Sequence, residues 1–233
     1  TTNIHQHTLA LRGTNVALVA PVEVRPRFWY NPDMASAVFM VPALIGLILQ
    51  IQATLLTASA IVRERERGTI EQLIVTPIRP LELILGKILP YALVALLITI
   101  EILMIGTVLF GVPIKGSPPL LMAIACLFLV SSLSLGLLIS TVAQTQQEAF
   151  LLTFLTILPS VFLSGFIYPI AALPRVLQFI SGLVPLTYFL VVVRGIVIKG
   201  VGVQALASQI IALTIFGAVL IVLASRSFRK RLD

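Results

Sequence analysis

Charge is scarce in this 233-residue chain: Asp, Glu, Lys and Arg together make up 11% of it, where a soluble globular domain carries about 25%. Histidine is rarer still, with two residues, His5 and His7, both near one end. A Ser-His-Asp triad is therefore not expected, and there is no H-E-x-x-H metal motif or G-x-S-x-G elbow around Ser164-Gly165. No G-x-x-x-x-G-K-[ST] loop is present, so the chain has no Walker A site for ATP. The single cysteine, Cys126, lies inside an apolar run. It can form no intramolecular disulfide, reads as a packing residue, and carries no information about compartment. His5 and His7 have no Cys or acidic residue nearby, so they read as an exposed segment rather than a metal site. No catalytic residue, metal or cofactor is assigned to this chain.

Apolar residues are abundant instead: they make up 58% of the chain, and the mean hydropathy is +1.08. A bilayer-spanning helix needs about 20 mostly apolar residues. Five runs qualify: 34–62, 81–110, 118–142, 149–168 and 203–224. A sixth stretch, 173–198, is interrupted by Pro174, Arg175, Pro185 and Arg194 and reads as interfacial or re-entrant helices. The expected fold is all-α, a polytopic transmembrane helix bundle of five spans with short external helices. The net charge of +7 belongs to loops beside spans, so lipid headgroups and topology account for it, and nucleic acid is not expected as a partner.

The positive residues orient the bundle. Arg63, Arg65, Arg67, Arg79 and Lys87 follow the first span; Arg226, Arg229, Lys230 and Arg231 follow the last. Five spans place both clusters on one side, and the positive-inside rule makes it cytoplasmic. The 111–117 loop and the 169–202 segment then lie outside, as does the N-terminal piece. In that piece residues 16–25 alternate loosely between Gly13 and Pro26, which predicts a strand. The basic C-terminal run 225–233 reads as an anchor to anionic headgroups.

Between the first two spans lies the densest cluster of charge, Arg63-Glu64-Arg65-Glu66-Arg67. Thr69 followed by Gln72 is a capping-box pattern, predicting a short helix over 69–75. Ile70, Leu73 and Ile74 would share one side of it, and Pro77 and Pro80 end it. A short helix with one apolar side and a rim of charge is suited to docking on a soluble protein.

The run Glu64-Arg65-Glu66-Arg67-Gly68-Thr69-Ile70-Glu71-Gln72-Leu73, with Val75-Thr76-Pro77 after it, is very similar to the first cytoplasmic loop of type-2 ABC exporter permeases. Trp29-Tyr30-Asn31-Pro32 before the first run, and Pro185-Leu186-Thr187-Tyr188 with Arg194 before the last, resemble that family too. Two features depart from it: Val41-Pro42-Ala43-Leu44 stands where the family usually has Pro-Gly-Leu, and the family's first transmembrane helix and most of its external domain have no counterpart. With Thr1-Thr2 at its start, the chain is expected to be the C-terminal part of a longer permease. Residues 1–33 would be a remnant of the extracytoplasmic domain. Residues 34–233 would be the permease domain, with a coupling loop at 63–80 and an external re-entrant region at 164–200.

The resemblance implies cytoplasmic ABC ATPase subunits as partners, with ATP and Mg bound there and not here. It also implies a second permease subunit, identical or paralogous, in a bacterial inner membrane. Arg63, Glu64, Glu66, Arg67, Gly68, Thr69, Ile70, Glu71, Leu73 and Ile74 become the candidate ATPase-coupling residues. Ile70, Leu73 and Ile74 would be apolar anchors, and Glu64, Glu66, Arg67 and Glu71 charges at the rim.

Polar residues within the runs are candidate pathway residues. Gln50, Thr54 and Thr57 fall at i, i+4 and i+7, either lining a pathway or bonding neighbouring helices. Glu101 is costly in hydrocarbon, so it should face the bundle interior, a cavity or a partner, as a substrate or proton contact or as a protonated structural group. Ser132, Gly136 and Ser140 recur at every fourth position, the spacing that lets helices approach closely. Two other classes remain open on the residues alone: a non-transporting scaffold, and an ion-coupled carrier using Glu101. Carriers of that kind usually hold several ionisable groups near the midplane; this chain has one.

Overall fold

The computed structural model describes residues 36–68 and 80–229. The predicted strand at 16–25, the external remnant 1–33, the predicted helix at 69–75 and residues 230–233 lie outside those residues. Among the described residues all regular structure is helical. We number the helices α1 (Ser36–Glu66), α2 (Pro80–Val108), α3 (Pro118–Val142), α4 (Gln146–Leu163), α5 (Arg175–Ser181), α6 (Pro185–Arg194) and α7 (Ala207–Arg229). A π-helical turn, Gly195–Lys199, continues α6, and a 3-10 turn, Val203–Leu206, leads into α7.

Five helices are long and apolar enough to cross a membrane, and they coincide with the five apolar runs. The fourth ends at Leu163, short of the expected Tyr168, because Ser164 caps it and Gly165 turns the chain at φ +83°. Pro159 sits within α4. At 31 residues, α1 is roughly 46 Å long, against about 30 Å of hydrocarbon. Its last charged turns therefore clear the apolar layer.

Half or more of the apolar stretch in α1 and α3 is buried, and less than a quarter in α2, α4 and α7. Helices α1 and α3 thus form the centre, with α2, α4 and α7 around them. Lipid is as apolar as leucine, so close packing rather than water exclusion selects the α1–α3 contact. Gly136 shows how close it is: a Cβ there would lie 2.6 Å from the Thr54 carbonyl oxygen and 2.8 Å from Thr57 Cβ. Its neighbours in the small-residue stripe, Ser132 and Ser140, are buried as well.

The interrupted sixth stretch bends by 86° between α5 and the α6 helix. Its prolines mark the breaks: Pro174 precedes α5, and Pro185 opens α6. Helix α5 is exposed, with Val176 and Phe179 more than two-thirds accessible. Helix α6 instead fills the centre of the bundle, with Leu186, Phe189, Leu190, Val192 and Val193 all fully buried. Phe189 stacks on Phe128 of α3 at 4.3 Å between ring centroids. An interfacial reading suits α5; α6 is a core element.

Candidate functional site at the charged end of α1

Helix α1 stops where its sequence turns charged. Arg67 and Gly68 close the last turn through their backbone N–H groups, onto the carbonyls of Arg63 and Arg65 at 3.1 Å each. Gly68 stands at φ +67°, a left-handed position that side-chain-bearing residues adopt at a cost of roughly 1–2 kcal/mol. The chain therefore leaves α1 sharply at the start of the 69–75 segment.

The charges just before Gly68 fold back on the turn between α3 and α4. A helix leaves its last carbonyls without intrahelical donors and its first N–H groups without acceptors. Arg65 Nη1 supplies the first need, donating to the carbonyls of Ser140 (3.0 Å) and Ala143 (2.8 Å) at the C-terminal end of α3. Glu66 supplies the second, since its carboxylate accepts from the backbone N–H (2.9 Å) and the side-chain amide of Gln146, the first residue of α4. Each charge also complements the helix dipole at the end it meets. Arg63 Nε donates to the remaining amide oxygen of Gln146 at 3.3 Å. The side-chain and then the backbone bond from Gln146 hold the Glu66 carboxyl below its ordinary range, helped by Arg63 and Arg67; the group lies beyond the last apolar residues of α1.

The turn is itself ordered for this role. Thr145 caps α4, its hydroxyl accepting from the Glu148 N–H at 3.2 Å, and the Glu148 carboxylate accepts from the Gln144 N–H at 2.7 Å. The partners of this glutamine-rich turn are not apparent from the sequence alone. The signal was the pairing of needs: carbonyls and N–H groups at 140–146, and an Arg-Glu pair at the charged end of α1.

Of the expected coupling residues, Arg63 and Glu66 thus meet Gln146, while Arg67 and Gly68 are exposed at the helix end. Glu64 is half-buried. Thr69, Ile70, Glu71, Leu73 and Ile74 lie outside the described residues. Glu66, expected at the rim of a docking surface, points its carboxylate at its own chain.

The polar stripe of α1 is buried in the seams with α3 and α4: Gln50, Thr54 and Thr57 are each 1% exposed. Thr54 Oγ1 donates to the Ser132 carbonyl at 3.1 Å, and Gln50 Nε2 reaches Ser160 Oγ of α4 at 3.4 Å. Thr54 and Gln50 thus bond neighbouring helices, while Gln50 Oε1 and Thr57 Oγ1 are buried without a hydrogen-bond partner among the described residues. Glu101 is on the exposed side of α2 with Leu97, Met104 and Ile105, so of the interior, a cavity or a partner, the interior of this chain is not where it points.

At the opposite end, Arg194 closes α6 and reaches the turn after α4. Its guanidinium donates to the carbonyls of Gly165 (2.9 Å) and Phe166 (3.4 Å) and stacks 3.6 Å over the Phe39 ring of α1.

The chain matches the family described as ABC-2 family transporter protein over residues 3–226. It is 33% identical over 213 residues to the "Probable multidrug ABC transporter permease YbhS" of Escherichia coli (strain K12), covering 91% of this chain and 56% of that protein. It is 35% identical over 211 residues to the "Inner membrane transport permease YhhJ" of the same organism, covering 90% and 56%. It is 27% identical over 197 residues to "ABC transporter G family member 20" of Dictyostelium discoideum, covering 84% and 27%. The chain spans little more than half the length of the two bacterial permeases.

Proposed function

Since the chain belongs to the ABC-2 transporter family, we propose that it is the membrane-spanning part of a permease in an ATP-driven exporter. Its partners are a pair of cytoplasmic ABC ATPase subunits, which bind the ATP and Mg, and a second permease subunit. Substrate crosses between the two permeases. The bundle lies in a bacterial inner membrane with the 63–80 loop and the C-terminus in the cytoplasm, the orientation that the clusters of Arg and Lys favour. ATP binding closes the two halves of the ATPase pair, and the 63–80 loop passes that motion to the spans.

The observation that carries this reading is the continuity of α1. One unbroken 31-residue helix runs from the packed centre of the bundle into the charged loop, so a displacement of the loop reaches the centre without a hinge between them. Leu73 supplies the test. If the 69–75 segment seats its apolar side on the ATPase, Leu73→Asp places a charge in a desolvated anchor position, where truncations commonly cost 2 kcal/mol or more. The variant is expected to accumulate in the membrane but to lose the ATPase on co-purification. Retention of the ATPase with full transport-linked hydrolysis would remove the loop from the coupling role.

A further inference from the structure

Helices α1 and α4 touch at three heights. At the cytoplasmic end, Glu66 accepts from both donors of Gln146, and Arg65 holds the carbonyls of the turn that leads into α4. At mid-height Gln50 meets Ser160. At the external end, Arg194 bridges Phe39 of α1 to the Gly165 and Phe166 carbonyls just past α4. Helix α4 is held as well by Ala149, which packs with Ala58, Val62, Ile139 and Ala143, and by Ser181 of α5, which donates to the Leu163 carbonyl; even so, less than a quarter of its apolar stretch is buried, and its exposed side carries Phe150, Phe154, Leu155 and Phe162.

We propose that Arg65, Glu66 and Gln146 form a latch that makes α4 move with α1, so that the 63–80 loop drives α4 as well as its own helix. These are positioning residues: they touch neither ATP nor substrate, and they pass a displacement on. The chemistry suits a latch that stays shut. A carboxylate on a helix N-terminus and a guanidinium on a helix C-terminus are charge-assisted bonds, about twice as strong as neutral ones, and each satisfies backbone groups that have no other intrahelical partner. Two bonds to one glutamine and two to the turn also fix direction, which a single exposed ion pair does not. A push along α1 therefore meets the first turn of α4 before that turn can lag behind. The proposal rests on the coupling role argued above.

The test is made on the full-length permease reconstituted with the ATPase that co-purifies with it, in a Cys126→Ser background. Spin labels at Leu155→Cys in α4 and Ile215→Cys in α7, both exposed, report the α4–α7 distance before and after trapping with MgATP and orthovanadate. The unlatched protein with Glu66→Ala is expected to retain its ATPase but to lose the trapped-state shift. Glu66→Gln, which keeps an acceptor for the Gln146 N–H, should restore it. Gln146→Ala removes the side-chain half of the latch and is read the same way if Glu66→Ala does not accumulate. A structural role alone would lower thermal stability and leave the shift in place; that result overturns the latch while the coupling loop stands. If the latched protein shows no shift on trapping, latch and coupling role fall together, whereas loss of the ATPase in Leu73→Asp with a normal shift in its parent upholds the coupling role by itself.

Discussion

Arg194 is the residue whose work is best separated from that of its neighbours. A planar guanidinium can reach two carbonyls and lie on a ring at once, and a lysine ammonium cannot. Arg194→Lys is therefore expected to lose the Phe166 bond and the stacking on Phe39, at a cost of about 1–3 kcal/mol from one charged hydrogen bond and one cation–π contact. Thermal unfolding in detergent should show a lower midpoint for the variant; an unchanged midpoint would leave the clamp without energetic weight. The sequence marks Arg194 only as an interruption in an apolar stretch. Its partners lie 28 and 29 residues away and, for Phe39, on another helix, and no local spacing encodes that meeting. The same holds for Glu66, whose charge is plain from the sequence but whose acceptor role depends on a glutamine 80 residues on. Its pattern of alternating charge fits a rim on a partner equally well, and the bond to Gln146 depends on where α4 lies.

Elements were more legible than residues, for a physical reason. The apolar runs that became α1, α2, α3, α4 and α7 are set by bilayer thickness, which leaves its length in the sequence. The Ser132-Gly136-Ser140 stripe was equally legible, because close approach demands small residues at helical spacing and few other needs do. It yields a prediction with two signs. Gly136→Ala puts a methyl group 2.6 Å from a backbone oxygen, which α1 or α3 must move to relieve, at a cost of about 1–3 kcal/mol. Gly86→Ala, on α2 with nothing within 4 Å, should stabilise by about 0.5–1 kcal/mol through lost freedom in the unfolded chain. Thermal unfolding of the two variants side by side checks the contrast; equal shifts would mean that the α1–α3 seam has room to spare. Helix α6 was legible as part of an interfacial or re-entrant stretch, and the 86° bend fits the second of these, but its place in the core was not. Ten residues between Pro185 and Arg194 have the length and polarity of an interfacial helix, and their burial follows from the gap that α1, α3 and α7 leave open.

At the scale of the whole molecule, orientation is the property to measure, and the packing refines how. A cysteine at Gly116 in the α2–α3 loop would set its Cβ 2.5 Å from the Ile196 carbonyl oxygen, so Ser117, which is exposed, is the better reporter. In intact cells an impermeant thiol reagent is expected to label Ser117→Cys and to spare Glu66→Cys and Arg231→Cys until the membrane is opened. The reverse pattern would invert the bundle. The burial of α6 has a further consequence, for synthesis rather than for transport. Its flanks are α1 and α3, which leave the ribosome earlier, and α7, which leaves later. Until α7 arrives, Tyr188 of α6 lacks the Phe216 ring that it meets at 5.6 Å between centroids. The nascent protein must keep a half-built slot open at its own centre, and its last helix is the one that shuts it.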